Sequence, residues 1–238
     1  MQIHPIIRFL KEIAVHNDRE WFAGHKDEYL ACQKSFESGL GQAIAAISEF
    51  DPEIAHLTPK DCMYRFYRDT RFSPDKTPYK THFGGFLSGH GKKSLRCGYY
   101  IHIQPGHSFI SQGSYWLPTN ILTSVRNEIM GNIDVWRKTV ENGKFVTLFG
   151  YPNEGQCDEH GGVISDKGFG FAHLKTAPKG FPKDYPYIQY LRMKDFATWV
   201  RVKDSFFAGD SWLEQMTAIF KVGKPMMDFL NDVIDDYE

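Results

Sequence analysis

Residues 62–82 read CMYRFYRDTRFSPDKTPYKTH, and the chain changes character there. Upstream, apolar residues recur at helical spacing. Within and beyond the stretch they fall in short aromatic and β-branched runs separated by Pro and Gly. Arg65, Arg68, Arg71, Lys76, Lys80 and His82 are threaded among Tyr64, Phe66, Tyr67, Phe72 and Tyr79, with Asp61, Asp69 and Asp75 the nearby acids. An extended Met63–Asp69 places Arg65, Tyr67 and Asp69 on one face and Tyr64, Phe66 and Arg68 on the other. An arginine therefore falls on each face, and a covered arginine needs a partner. That partner is internal, with Asp69 and Asp75 the candidates, or it is an outside carboxylate or phosphate, which the planar guanidinium fork suits. Pro74 and Pro78 stiffen the loop and hold Lys76 and Lys80 in place.

Ile6, Ile7, Leu10, Ile13 and Ala14 predict a first helix, with Pro5 in its first turn. Asn17-Asp18-Arg19-Glu20 has the form of a capping box with Asn17 as cap, opening a second helix interrupted near Gly24 and ending at Asp51-Pro52. Strands are expected over Met63–Tyr67, Phe83–Leu87, Gly98–Gln104 and Ser108–Ser111. Further helices are expected from Pro118 and near Ile133–Val140, with surface loops over 150–185 and a short helix end then a strand over Leu191–Val202. The helical tail Trp212–Tyr237 carries Pro225, expected to break or kink it. Helices, then strands, then helices argue an α+β domain, a mostly antiparallel sheet flanked by an N-terminal helical hairpin and C-terminal helices.

With 42 % hydrophobic and 24 % charged residues and a net charge of −1, the chain reads as a soluble globular protein rather than a disordered one. The charge is uneven, however. Residues 60–104 hold nine Lys/Arg against three Asp/Glu, while residues 204–238 hold two against eight. The positive segment either neutralises acids within the fold or sets up a local positive field. Four dispersed cysteines without a CxxC pair fit reduced thiols. With no leader pattern and no long apolar run, the expectation is a cytoplasmic protein without a membrane partner.

Several chemistries fail on spacing. In Gly89–Ser94 the Walker pattern needs Gly where Phe86 stands and Ser/Thr where Lys93 stands, so a basic hairpin turn is the better reading. No Gly-x-Ser-x-Gly elbow is present. His82, His102 and His107, and separately Cys157-Asp158-Glu159-His160, lack the spacing of a zinc site, so no metal ligands are assigned.

NDREWF at 17–22, RFYRDTRFSPDKTPYKTH at 65–82, GYYIHIQP at 98–105, Pro118 leading to Arg126, and Ala177–Phe181 followed by Tyr190–Phe196 together resemble the bacterial and fungal family catalogued as domain of unknown function 2461. The resemblance covers roughly residues 5–232, implies a single domain over the whole chain, and brings no activity with it. Where that family pattern often places His before Pro, this chain has Tyr185-Pro186, a substitution that implies packing or hydrogen bonding.

The leading functional expectation is a site for an anionic, phosphate-bearing or similar small molecule. Arg65, Arg68, Arg71, Lys76 and Lys80 hold the anion, Tyr79 and Tyr100 make ring contacts, and His82 and His102 stand by as proton-transfer groups. The alternatives are a nucleic-acid-binding module, disfavoured by the neutral overall charge, and a protein-interaction domain in which the basic segment is a structural ion-pair network. No cofactor is implied.

Overall fold

The structure, a computed structural model, describes residues 1–158 and 162–237. In chain order its elements are α1 (Ile3–Val15), α2 (Arg19–Gly24), α3 (Lys26–Ser48), α4 (Pro59–Cys62), β1 (Phe83–Leu87), β2 (Gly98–Ile103), β3 (Phe109–Gly113), α5 (Thr119–Gly131), α6 (Ile133–Val140), α7 (Gly143–Phe149), β4 (Lys167–Phe169), α8 (Ile188–Leu191), β5 (Thr198–Arg201) and α9 (Trp212–Ile234). Among the described residues the strands form one open antiparallel sheet in the order β1-β2-β3-β5-β4. In its β4–β5 pair, Lys167 lies opposite Val200 and Phe169 opposite Thr198. The fold is α+β, with helices at the N-terminal end and a long helix at the C-terminal end.

The chain divides into two compact units. The first comprises Met1–Lys92, Tyr100–Phe109 and Val202–Thr217. In it α1 buries Ile3, Ile6, Phe9, Leu10 and Ile13, which return every three to four residues on one helix face. Each such side chain contributes about 1.5–3 kcal/mol on leaving water. Gly24 separates α2 from α3, as its weak helix propensity predicts. The face of α3 carrying Phe36 and Leu40 meets the sheet: the Phe36 and Phe83 rings lie 5.5 Å apart, and Leu40 fills the space beside Gly85. Phe9, Phe22, Tyr29, Phe66 and Tyr79 extend this aromatic core.

The second unit comprises Lys93–Tyr99, Ile110–Arg201 and the chain from Ala218 onward. Its centre is the fully buried Trp136, ringed by Phe169, Tyr190, Phe196 and Phe229 at centroid distances of 5.1–6.4 Å. Asp195, 3 % exposed, accepts backbone N–H groups from Phe171 and Ala172 at 2.9 Å and from Ala197 at 3.3 Å. Burial nevertheless pushes its carboxyl up to about 6, against the pull of those three donors.

Several local expectations are corrected. Asp18, not Asn17, caps α2, accepting the Trp21 N–H at 2.9 Å. Asn17 is otherwise engaged: its amide bonds both backbone groups of Tyr79, at 2.9 and 3.0 Å. Met63–Tyr67 is extended without forming a regular strand, because it pairs in two directions, Met63 with Gly85 and Tyr67 with Tyr79. Residues 150–185 are not all loop, since β4 lies among them. Pro225 does not break α9, which runs from Trp212 to Ile234 with the proline inside it. One turn earlier, Gln112 donates to the Ile219 carbonyl at 3.4 Å and occupies the space a side chain at Gly223 would need.

Candidate functional site

The basic segment lies within the first unit and splits into two parts. In the first part every cation has a partner. Arg68 donates to the Asp75 carboxylate, to the Thr77 hydroxyl and, at 3.2 Å, to the Thr77 carbonyl, so it laces shut the loop that Pro74 and Pro78 shape. Arg71 grips Asp69 fork-to-fork at 3.0 and 2.7 Å, and Arg65 stands 3.9 Å from the same carboxylate. Lys76 donates to the Thr70 carbonyl at 2.9 Å. Asp69 is held down at about 2, chiefly by the Arg71 hydrogen bonds. Asp75 is held at about 2 by the Thr77 N–H, with Arg68 and the Thr77 hydroxyl adding to it. Tyr79 is 4 % exposed with its ring stacked 4.0 Å from Phe22, which makes it a packing residue.

The second part differs. The Lys80 ammonium lies 5.6 Å over the Tyr64 ring, and among the described residues it meets neither a carboxylate nor a hydrogen-bond acceptor. Burial lowers its pKa, and the positive charge of Arg65 lowers it further. His82 follows two residues on, its ring 4.4 Å from that of His102 and neither of its nitrogens hydrogen-bonded among the described residues. Burial first, then His102 and Lys80, push His82 down to about 3. His102 sits between the His82 ring and Phe109, whose ring stacks on it at 4.5 Å. Burial holds it at about 4 although its bond to Gln104 acts the other way. Both imidazoles are therefore neutral at pH 7.

The His102 tautomer follows from its neighbours. The Gln104 Oε1 accepts at 3.0 Å, so Nε2 carries the hydrogen and Nδ1 accepts from the Tyr100 hydroxyl, also at 3.0 Å. The relay Tyr100–His102–Gln104 lies along alternate residues of β2 and its extension, one face of a strand. Across from it, a Cβ at position 84 would stand 2.6 Å from the Tyr100 hydroxyl, so glycine there makes room for the relay. Tyr64, 37 % exposed, closes the arrangement with its ring 6.3 Å from Tyr100.

Of the residues named from sequence, the structure brings Lys80, His82, Tyr100 and His102 together, with Arg65 acting on Lys80. Arg68, Arg71 and Lys76 are engaged within the loop, and Tyr79 in the core. Sequence reasoning missed Tyr64, Gln104, Phe109 and Gly84. Gln104 had a signal, standing two residues beyond His102 on the same strand face; Tyr64 had none apart from its many aromatic neighbours.

Elsewhere most polar groups are paired, although buried Trp136 Nε1, His173 Nε2, Arg126 Nε and Arg192 Nε have no partner among the described residues. In the second unit an open cleft is lined by Asp134, Arg137, Lys138, Glu141 and Asn142. There Arg137 grips Glu141 at 3.0 and 3.1 Å and donates to the Tyr187 hydroxyl at 2.8 Å. The Tyr185 hydroxyl reaches the Met130 carbonyl at 3.5 Å. Cys32, Cys62 and Cys157 are pushed up to about 11 by burial, which removes them as thiolate nucleophiles at neutral pH. No group of three or more His, Cys, Asp or Glu able to hold a metal occurs among the described residues, and Glu159 and His160 lie outside them. No described helix is long and apolar enough to cross a membrane.

No curated protein and no solved structure matches the chain. A family model described as "Conserved hypothetical protein (DUF2461)" matches residues 5–229. The match takes in both arms of the basic segment and the β2 relay, and the chain belongs to the DUF2461 family.

Proposed function

We propose that the first unit binds a small anionic molecule against Lys80, with Arg65 adding positive field, His82 supplying a neutral donor and acceptor, and Tyr64 a ring face. One observation carries this reading: among the described residues the Lys80 ammonium and the His82 ring have no hydrogen-bond partner, in a segment whose other cations are each held by a carboxylate or a carbonyl. A half-buried ammonium with no acceptor from the described residues is open to an outside anion, and its partial desolvation strengthens that pairing. The anion claim thus moves from Arg68, Arg71 and Lys76 to Lys80.

The test is a thermal-shift panel of phosphate, sulfate, nucleotides, sugar phosphates, dicarboxylates and short oligonucleotides on wild type, Lys80→Met and Arg71→Ala. The expected result is a ligand-selective rise in wild type and Arg71→Ala that disappears in Lys80→Met. A rise that survives Lys80→Met sinks the assignment.

A second reading rests on Phe72, which is 93 % exposed with the Arg71 guanidinium 5.8 Å from its ring. An exposed aromatic beside a cation suits base stacking on a single-stranded nucleic acid. That reading requires oligonucleotide binding that weakens steeply with salt and falls in Phe72→Ala.

A further inference from the structure

We infer that Lys80 is a covalent amine, forming an imine with a small carbonyl compound that carries a carboxylate or phosphate group. The inference rests on the anion-binding reading and names the class of molecule bound. Four features converge. Among the described residues Lys80 has no carboxylate or carbonyl to hold its ammonium, whereas Lys76, four residues earlier, is fixed on the Thr70 carbonyl. It is half-buried on the Tyr64 ring. Burial and the positive charge of Arg65 both favour its neutral amine, and that second cation attracts an anionic substituent. Close by stands His82, an uncharged imidazole able to take a proton at one nitrogen while releasing one from the other. The charged and titratable groups around the amine are therefore Arg65, His82 and His102, with the Tyr64 phenol beneath it, and none is an acid that would pin it as ammonium.

The step balances without an external reagent. The ammonium first loses a proton to solvent. The amine lone pair attacks the carbonyl carbon, a C–N bond forms, and the C=O π pair moves to oxygen. Proton transfer from nitrogen to that oxygen, through the His82 ring, gives the carbinolamine. Its C–O bond then breaks and a second N–H proton is lost, so that one water leaves and the C=N bond remains.

The experiment treats the whole protein with glyoxylate, pyruvate or neutral propanal in the presence of cyanoborohydride, which reduces an imine to a stable secondary amine. Adducts are located by peptide mapping. Wild type and Lys80→Arg are compared, and both are also tested for anion-dependent thermal shifts. The expected result is a single adduct on Lys80 ahead of every other lysine, formed by an anionic carbonyl and not by propanal. In Lys80→Arg the adduct is lost, because the amine is gone. Labelling spread evenly over the lysines, with the shift intact, overturns the imine and leaves the anion site standing. No shift with any anion in wild type removes the anion site and the imine with it. The wild-type map decides the chemistry even if the variant does not fold.

Discussion

Asp195 in the second unit and Lys80 in the first are both charged groups drawn away from water, and the protein treats them in opposite ways. Asp195 is surrounded by three backbone donors and has a partner for each oxygen. Lys80 has an aromatic face and, among the described residues, no acceptor for its ammonium. Saturation of this kind marks a structural charge: the fold needs those N–H groups satisfied, and the carboxylate does it. A charge left without an acceptor does nothing comparable for the fold, which is why the anion site is proposed at Lys80. The lower arm of the basic segment sides with Asp195, since Arg68, Arg71 and Lys76 each close a bond within their own loop.

The sharpest way to break the comparison is Asp195→Ala. It strands three N–H groups and is expected to cost about 3 kcal/mol or more in urea unfolding. A loss below about 1 kcal/mol would put Asp195 among surface-like substitutions and undo the contrast.

Acid gives the next effect, acting on the buried histidines and on Asp195 with opposite signs. His102 and His82 have folded-state values below their ordinary value of 6.5, so the unfolded chain takes up protons first. The stability tied to their neutral forms is present above pH 6.5 and drains away as pH falls toward 4 and 3. Asp195 has a raised value, so its protonation favours the fold as pH falls through 6 toward 3.8. His173, which burial pushes down to about 4, adds to the loss, so the three histidines outweigh the one aspartate and stability falls by several kcal/mol between pH 7 and pH 4. His102→Gln is expected to flatten that loss and Asp195→Asn to steepen it. Stability that rises on acidification in wild type contradicts the histidine assignment.

Arg68→Ala opens the loop that its guanidinium closes. About 1 kcal/mol is expected, with faster amide exchange over 69–77 and no change in anion binding. Lys80→Met is the smallest perturbation of the fold, within about 0.5 kcal/mol of wild type, and the largest of function. A strongly destabilised Lys80→Met would place Lys80 with Asp195 as scaffold.

The fold class was legible because its signals are local: three- and four-residue spacing in α1, Gly24 between helices, and short aromatic runs between Pro and Gly. The residues of the site were legible as types. Their division was not. Whether Arg68 is engaged depends on Asp75 folding back across a turn, and whether Tyr79 faces a ligand depends on Phe22, far away in the chain. Asn17 illustrates the limit most clearly. Its sequence context is a helix cap, yet a tertiary contact 62 positions away takes its amide instead and leaves the cap to Asp18. Pro225 shows the converse, a local helix breaker carried inside α9 at an exposed position while its neighbours Met226 and Met227 are buried.

The bond between Asn17 and Tyr79 has one further consequence. Tyr79 pairs with Tyr67 through its neighbours' backbone groups, which turns its own N–H and C=O away from that partner. Asn17 meets both with the donor and acceptor of one side-chain amide, so it acts as a β-strand one residue long. An extended segment with such groups open is a template on which a second chain can add. The side chain closes that edge at Tyr79, leaving neither backbone group open to pair with another strand.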